Sequence, residues 1–170
     1  QRRRIVVIGG SAAGPKAAAR ARRLDEDAEI TVLQKADDLS MASCGYPYYV
    51  GGVFDNRNLL LCTPAGIVRD PRFFLNAKGI VARTGTKALA IDRARKTVAY
   101  RELATGLTGD LPYDKLILAT GATPTLPPIP GIDLQGVTTL QSLRDADYLR
   151  RICNEGAVEK AIVVGGGLIG

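Results

Sequence analysis

Short apolar runs that end in glycine recur along the chain and predict buried parallel strands. The first run, residues 5–8, is rich in β-branched side chains and stops at two glycines, which suits a strand buried on both faces. Residues 15–24 are rich in alanine, begin with proline and end in arginines, a pattern typical of a helix. A second apolar run follows at 30–33. Residues 4–34 are therefore predicted to form a β-α-β unit with parallel, right-handed pairing.

The remaining pattern predicts a mixed α/β architecture. Residues 36–58 carry loop signals, with glycine, proline and asparagine close together. Between residues 79 and 101, two short β-rich runs flank a charged turn and predict an antiparallel meander. A further buried-strand pattern at 113–121 ends in another glycine turn. The predicted fold class is thus α/β and Rossmann-like, with a parallel sheet, helices and an antiparallel β-meander insertion.

A proline-rich stretch at 123–131 can form neither helix nor sheet ladder and marks the predicted domain boundary. Residues 142–154 then predict a helix capped by Ser142, and residues 161–164 predict a buried strand. The chain stops inside a strand-to-helix turn, so we expect it to be part of a longer protein. We assign 1–123 to a first, incomplete nucleotide-binding domain, 124–141 to a connector and 142–170 to the beginning of a second nucleotide-binding domain.

Composition narrows the function classes. The chain has 170 residues, 46% apolar and 24% charged, the balance of a globular protein. No apolar run reaches the roughly 18–20 residues of a membrane span and no export sequence is visible, so we expect a cytoplasmic protein without a membrane partner. Histidine is absent, which removes the commonest general base and any Cys–His pair within this chain. The three cysteines are irregularly spaced and predict neither a disulfide framework nor a metal site.

The first glycine turn, Gly9-Gly10-Ser11-Ala12-Ala13-Gly14, lies between the first predicted strand and helix. In a G-x-G-x-x-G fingerprint the first glycine makes the turn, the second admits a pyrophosphate and the third lets helix and strand pack closely. Ser11 stands in place of the second glycine, and Gln34 stands where an acidic residue would hold an adenosine ribose. The Gln34 amide can still hydrogen-bond ribose hydroxyls, without charge assistance. The β-α-β context favours a nucleotide site over a purely structural bend.

A second glycine turn follows the predicted strand at 161–164. Gly165, Gly167 and Gly170 match the G-x-G-x-x-G spacing and predict a second dinucleotide site, with a packing turn as the alternative.

Cys44 comes just before a predicted helix start, where backbone N–H groups favour a thiolate. Together with the two glycine turns, this makes Cys44 a candidate redox centre. Cys62 and Cys153 have no such setting and are expected to be small buried side chains.

Three further motifs carry a family resemblance. They are Ser40-x-x-Ser43-Cys44-Gly45-x-Pro47-Tyr48-Tyr49-x-Gly51-Gly52, the stretch 116–122, and residues 129–131 taken with 145–147. With the glycine turns, they resemble the amino-terminal part of the flavin-dependent pyridine nucleotide-disulfide oxidoreductases over nearly the whole chain. Within that family the resemblance is to the single-cysteine branch, which holds coenzyme A-disulfide reductases and NADH-dependent persulfide reductases.

The resemblance implies FAD at the first turn, in domain 1–123, and NADH or NADPH at the second. It implies an enzyme that passes electrons from NAD(P)H through FAD and Cys44 to a disulfide or persulfide, of coenzyme A type, and that forms a homodimer. Position 49 is tyrosine where the dithiol branch has a second cysteine, so Cys44 would cycle with an external sulfur. The implied cofactor-binding residues are Gly9, Gly10, Ser11, Ala12, Ala13, Gly14, Gln34, Lys35, Ser43, Cys44, Ala82, Ala119, Thr120, Gly121, Gly165, Gly167 and Gly170. The implied coenzyme A contacts are Lys16, Arg20, Arg23, Ser40 and Ser43.

Other interpretations stay open. Oxygen- and peroxide-reducing members of the family have a histidine in or near the first glycine turn, whereas this chain has Ala12 and Ala13, which favours sulfur substrates. An NADH oxidase, a polysulfide reductase and a flavin-binding redox sensor without fast turnover remain alternatives, and the arginines that end the first helix could simply be a solvated surface. The net charge of +6 is compatible with nucleic acid, but no nucleic-acid-binding module is present in the sequence, and no such partner is expected.

Overall fold

The computed structural model describes residues 2–156 and 158–167, which divide into two compact units. Unit 1 comprises the chain up to Ser43 and Asn56–Thr123, and unit 2 comprises Cys44–Asp55 and the chain from Pro124 onward. The strands, all in unit 1, are β1 Arg4–Ile8, β2 Glu29–Leu33, β3 Ile80–Arg83, β4 Thr86–Asp92, β5 Thr97–Glu102, β6 Thr108–Pro112 and β7 Lys115–Leu118. The helices are α1 Ala13–Leu24, α2 Tyr46–Val50, α3 Pro71–Lys78 and α4 Leu143–Asn154, with short 3-10 turns at Ser43–Gly45 and Arg57–Leu60.

Unit 1 is built on a parallel sheet with the strand order β3-β2-β1-β7. β1 pairs in parallel with β2, in the register Val7 to Val32, and with β7, in the register Val7 to Ile117. The predicted β-α-β unit is confirmed. Because β2 and β7 lie on opposite sides of β1, the strand order reverses at β1, and ligands of such sheets bind outside the carboxyl ends of the strands at this point.

Alternate residues of β1 and β2 face two different layers, which explains their continuous apolar runs. Val7 and Val32 belong to a buried cluster with Ala18 of α1 and Phe74 of α3. The opposite face carries a second cluster, in which Val6 and Leu33 meet Val98 and Tyr113. A parallel sheet covered on both faces needs apolar side chains at successive positions.

The meander prediction is correct for β4 and β5, which pair antiparallel, and the structure adds β6, which pairs antiparallel with β5. It is wrong for residues 80–83, because β3 pairs in parallel with β2. Helix α3 was not predicted either. It is capped by Asp70, whose carboxylate accepts the Phe73 N–H at 2.7 Å, and it ends at Gly79 with a φ of +60°, where glycine is favoured.

Unit 2 contains α2 and α4, which pack against each other. The predicted cap of α4 is confirmed, since the Ser142 hydroxyl accepts the Asp145 N–H and the Asp145 carboxylate accepts the Ser142 N–H. Residues 124–131 form neither helix nor strand, as predicted.

Residues 161–164 do not form the predicted strand, and Ile162 is 90% exposed. A parallel strand needs a neighbour to complete its hydrogen bonds, and no strand occurs among the residues of unit 2 that the structure describes. Within the described ranges, no helix combines the length and the apolar character needed to cross a membrane.

Candidate functional site

The first glycine turn connects β1 to α1 and can be made only with glycine at two positions. Gly9 has a φ of +110°, and a Cβ there would lie 2.0 Å from the carbonyl oxygen of Ala119. A Cβ at Gly14 would lie 1.8 Å from the carbonyl oxygen of Gly9. Gly9 therefore lets β7 approach the turn, and Gly14 lets α1 pack directly on β1, which are the roles expected in a dinucleotide fingerprint.

The start of α1 offers backbone donors to a ligand. Its N-cap is Ala12, which makes no side-chain capping hydrogen bond, and its first turn holds no acidic residue. Ser11, Ala12 and Ala13 are exposed. Free amide groups at a helix N-terminus, next to a glycine turn, suit the diphosphate of a dinucleotide, so these residues fit an FAD group.

Gln34 holds the glycine turn from inside. The residue is 5% exposed; its side-chain Oε1 accepts the Gly10 N–H at 2.9 Å, and its Nε2 donates to the Asp38 carbonyl oxygen at 3.0 Å. A primary amide has one more acceptor lone pair and one more donor hydrogen, so the predicted bond to a ribose hydroxyl stays possible. Its partners within the protein show a second role that the sequence did not predict, which is to join the turn to the segment that follows β2.

That segment, residues 38–42, is hydrogen-bonded to the turn and to a distant loop. The Ser40 N–H donates to the Gly10 carbonyl at 2.8 Å, and the Met41 N–H donates to the Ser11 carbonyl at 2.9 Å. The Asp38 carboxylate accepts two hydrogen bonds from the Arg57 guanidinium, at 2.6 and 3.1 Å. Ser40 has a φ of +57°, a strained conformation for a residue with a side chain, and such strain concentrates at functional sites.

The other predicted cofactor residues of unit 1 lie at strand ends. The Ala119 N–H donates to the Ile8 carbonyl at 2.8 Å, which brings Ala119 beside the glycine turn, and the exposed Thr120 and Gly121 follow it. Lys35 is exposed directly after Gln34, and Ala82 is partly buried on β3. The carboxyl ends of β1, β2 and β7 thus gather the turn, Gln34 and Ala119, while the roles of Lys35, Ala82, Thr120 and Gly121 in binding stay predictions.

The cations of α1 divide into two groups. Lys16, Arg20 and Arg23 are exposed, and their spacing of four and three residues places them along one helix face. Arg22 is different, because its guanidinium donates to the carbonyl oxygens of Lys78, Gly79 and Glu26 at 3.1, 2.8 and 2.6 Å. Arg22 therefore connects α1 to the end of α3 by hydrogen bonds and is not simply part of a solvated surface.

The predicted redox cysteine belongs to unit 2. Cys44 is a free, exposed thiol in the 3-10 turn that leads into α2. Tyr49, at the position of a second cysteine in the dithiol branch, is buried and its ring stacks on Phe54 at 5.9 Å between centroids. No group of metal-ligating side chains occurs in the part of the chain that the structure describes.

The prediction that the other cysteines are buried is wrong for Cys153, which is exposed, while Cys62 is half-buried. The buried side chains of α4, Leu143 and Ala146, lie in its first turn, so burial does not reach Cys153 in the last turn.

The second glycine turn lacks the close contacts of the first. Gly165 has a φ of +115°, but an added Cβ at Gly165 or at Gly167 would meet no heavy atom within 4 Å. Gly170 lies outside the described residues. A nucleotide site at this turn stays a prediction.

Comparison with known proteins places this geometry in context. A family model described as pyridine nucleotide-disulphide oxidoreductase matches residues 3–170. The coenzyme A disulfide reductase of Staphylococcus haemolyticus (strain JCSC1435) is 34% identical over 167 residues, which cover 98% of this chain and 36% of that protein. This chain therefore spans about a third of the length of that relative.

Two solved structures extend the comparison. A NAD-dependent persulfide reductase from A. fulgidus has 46% sequence identity and a TM-score of 0.86, covering 90% of this chain and 28% of that one. A water-forming NADH oxidase from Lactobacillus brevis, bound to NADH, has 30% identity and a TM-score of 0.76, covering 90% of this chain and 32% of that one. These structures confirm the predicted Rossmann-like fold class.

Proposed function

Because this chain belongs to the pyridine nucleotide-disulphide oxidoreductase family, we propose that the protein passes electrons from NAD(P)H through FAD to a disulfide or persulfide, with Cys44 as its single redox thiol. Family membership supports FAD and NAD(P)H as the cofactors and an oxidoreductase as the class of enzyme. The substrate we propose is a coenzyme A disulfide or persulfide, since the related proteins include a coenzyme A disulfide reductase and a persulfide reductase.

The observation that carries the proposal is the isolation of an exposed thiol. Cys44 is free and exposed, whereas position 49 holds a buried tyrosine. An intramolecular disulfide within the segment Cys44–Asp55 is impossible, because that segment contains no other cysteine. A thiol in this setting exchanges with a sulfur that comes from outside the segment.

The chemistry assigned to Cys44 is thiol–disulfide exchange. Its thiolate attacks one sulfur of RS–SR, so that a bond forms between Cys44 Sγ and that sulfur while the other leaves as a thiolate. Bound FAD would supply the two electrons of NAD(P)H that split this mixed disulfide. The second RSH is then released and the Cys44 thiolate restored. In sum, one RSSR, one NAD(P)H and one proton give two RSH and NAD(P)⁺; a persulfide RSSH gives RSH and H₂S instead.

The residues of unit 1 have binding roles in this proposal. The glycine turn and the start of α1 bind the diphosphate of FAD. Gln34 binds the ribose hydroxyls through the acceptor lone pair and the donor hydrogen of its amide that the protein does not use. Lys16, Arg20 and Arg23 form an exposed cationic face suited to the phosphates of coenzyme A. Ser40, in the segment that is hydrogen-bonded to the turn, and Ser43, in the following 3-10 turn, contribute hydroxyl groups.

The test is NADH and NADPH consumption by the full-length protein without oxygen, with coenzyme A disulfide or coenzyme A persulfide as the acceptor. We expect consumption that is lost in Cys44→Ser and kept in Cys153→Ser, the matched control because Cys153 is also an exposed free thiol. Undiminished turnover by Cys44→Ser would overturn the proposal.

An oxygen-reducing activity is the second candidate, favoured by the likeness to a water-forming NADH oxidase. Against it stands the complete absence of histidine in this chain, which leaves Ala12 and Ala13 at the turn where the oxygen-reducing members have that residue. Admission of oxygen to the same assay separates the two, since an oxidase consumes NADH only then. The homodimer and the cytoplasmic location stay predictions.

A further inference from the structure

Arg150, on α4, contacts the segment that carries the redox cysteine at three points. Its guanidinium pairs with the carboxylate of Asp55 and lies over the ring of Tyr49, 5.9 Å from the ring centroid. Its Nη1 also lies against Gly52, where an added Cβ would come within 2.7 Å. Only 15% of the Arg150 side chain is exposed, so this cation is largely enclosed by residues far away in the sequence.

The contacts with Tyr49 and Gly52 matter more than the ion pair. The Asp55 side chain is 88% exposed, and a pair with one largely solvent-exposed partner contributes little to stability. Tyr49 is buried, and a guanidinium on a buried aromatic face is desolvated, which strengthens the attraction. Gly52, with a φ of +79°, leaves the space that the guanidinium fills.

The three contacted residues lie at the end of a tightly folded segment. The N–H groups of Gly51, Gly52 and Val53 donate to the carbonyl oxygens of Pro47, Tyr49 and Tyr48 at 2.8, 3.2 and 2.9 Å. These bonds fold the chain back on α2, which begins two residues after Cys44. A side chain that holds Tyr49, Gly52 and Asp55 therefore fixes the short helix against which the cysteine turn is built.

We propose that Arg150 is a positioning residue for Cys44, which it acts on by holding the segment Cys44–Asp55 against α4. The inference rests on the proposed function, in which Cys44 is the redox thiol. An arginine is suited to this task because its planar guanidinium stacks on a ring and pairs with a carboxylate at the same time, which a lysine cannot do equally well.

The neighbouring Arg151 provides the matched control. Its side chain is 62% exposed, and its contacts are with Glu155, at 4.0 Å, and with the Tyr148 ring, at 5.6 Å. Arg151→Met removes the same charge from the same helix turn without touching the cysteine segment.

The experiment compares the full-length wild type with Arg150→Met, Arg150→Lys and Arg151→Met, by hydrogen exchange of residues 51–53 and by steady-state kinetics with coenzyme A disulfide. For Arg150→Met we expect exchange of these amides to be at least about tenfold faster. We also expect kcat to fall at least about tenfold with KM changed less than about twofold, since misplacement of a reacting group by 1 Å can cost up to ~100-fold. For Arg150→Lys we expect exchange about threefold faster and kcat about threefold lower. Arg151→Met should change neither the exchange nor kcat.

Unchanged exchange at 51–53 in Arg150→Met, or faster exchange with unchanged kcat, would overturn the proposal; if that variant does not fold, the same criteria apply to Arg150→Lys. Failure of the proposed function is visible separately, because Cys44→Ser would then keep full turnover. In that case Cys44 is not the redox thiol, and the proposal that Arg150 positions it is overturned as well. The hydrogen-exchange result would still show whether Arg150 holds the segment Cys44–Asp55 in place.

Discussion

Replacement of Gln34 by glutamate tests whether the glycine turn depends on a neutral amide. The change keeps the shape of the side chain, and one oxygen can still accept the Gly10 N–H. The other oxygen replaces Nε2, which donates to the Asp38 carbonyl at 3.0 Å, and two acceptors then face each other in a site where the native residue is 5% exposed. Burial and the facing carbonyl disfavour the charged form, so both raise the pKa of the introduced carboxyl.

The magnitude follows from the two hydrogen bonds. Loss of the bond to Asp38, with its carbonyl left unsatisfied, costs about 1–3 kcal/mol, and the buried charge adds to this at neutral pH. A total of about 2 kcal/mol or more lowers the Tm by at least roughly 4–8 °C, the shift expected for a domain of about 150–250 residues. Gln34→Met leaves both the Gly10 N–H and the Asp38 carbonyl unsatisfied and should cost about 2–6 kcal/mol at every pH.

The two variants differ in their pH dependence. A carboxyl whose pKa is raised by folding destabilises the protein above its folded pKa, and the deficit disappears as the pH falls below its unfolded pKa. Once protonated, the introduced carboxyl donates to the Asp38 carbonyl as the amide does. We therefore expect the Tm deficit of Gln34→Glu to shrink from about pH 7 to about pH 4, and that of Gln34→Met to stay constant.

The assay is thermal unfolding of the full-length protein by circular dichroism at both pH values, always as the difference from wild type. Gln135→Glu, which makes the same chemical change at an exposed position, is the control and should leave the Tm unchanged. A Gln34→Glu protein as stable as wild type at about pH 7, or a deficit that does not respond to pH, would refute the assignment of Gln34 as a donor to Asp38.

Two further predictions concern the two ends of β1. Gly14→Ala places a carbon 1.8 Å from the Gly9 carbonyl oxygen and should reduce bound flavin, measured by absorbance, and lower the Tm, because overpacking of this kind costs about 1–3 kcal/mol. Gly66→Ala is the control for backbone strain alone, since Gly66 has a φ of +79° and the added carbon meets nothing within 4 Å; it should lower the Tm but keep the flavin. Hydrogen bonds from the Arg4 side chain and backbone lower the pKa of Asp114 from 3.8 to about 2, so the stability they contribute is present above the unfolded pKa and is lost as the pH falls through about 2. Arg4→Met should therefore show a Tm deficit at pH 5 that closes near pH 2, while Arg2→Met should show none at either pH.

The first half of the fold could be predicted because its determinants are local. The apolar runs of β1 and β2, the proline and arginines of α1 and the glycines between them are all contiguous in the sequence. The signals for α3 are local as well, in Asp70 before Pro71 and in Gly79 at its end. The pairing of β3 with β2 could not be inferred, since nothing local distinguishes a short β-rich run that joins a parallel sheet from one that joins a meander.

The side chains that support the candidate site could be predicted from local sequence even less than the strand pairing. The position of Gln34 pointed to a nucleotide site, but its bonds to Gly10 and Asp38 depend on how separate parts of unit 1 meet. The enclosure of Arg150 by Tyr49, Gly52 and Asp55 likewise depends on contacts across 95 or more positions of sequence. Chemistry-bearing residues can be found from their type and spacing, whereas the side chains that hold them are set by tertiary contacts.

Unit 2 is discontinuous in the sequence, and this constrains how relatives of this protein can be recombined. The chain leaves unit 1 at Ser43, returns at Asn56 and leaves again at Pro124. A chimera that exchanges only Cys44–Asp55 between two relatives would combine the cysteine segment of one protein with the α4 of the other. The side chain at 150 would then contact residues from a different protein. Functional exchange of the redox segment is thus expected to require α4 as a companion, so that the two stretches are inherited as one module even though 87 positions separate Asp55 from Ser142.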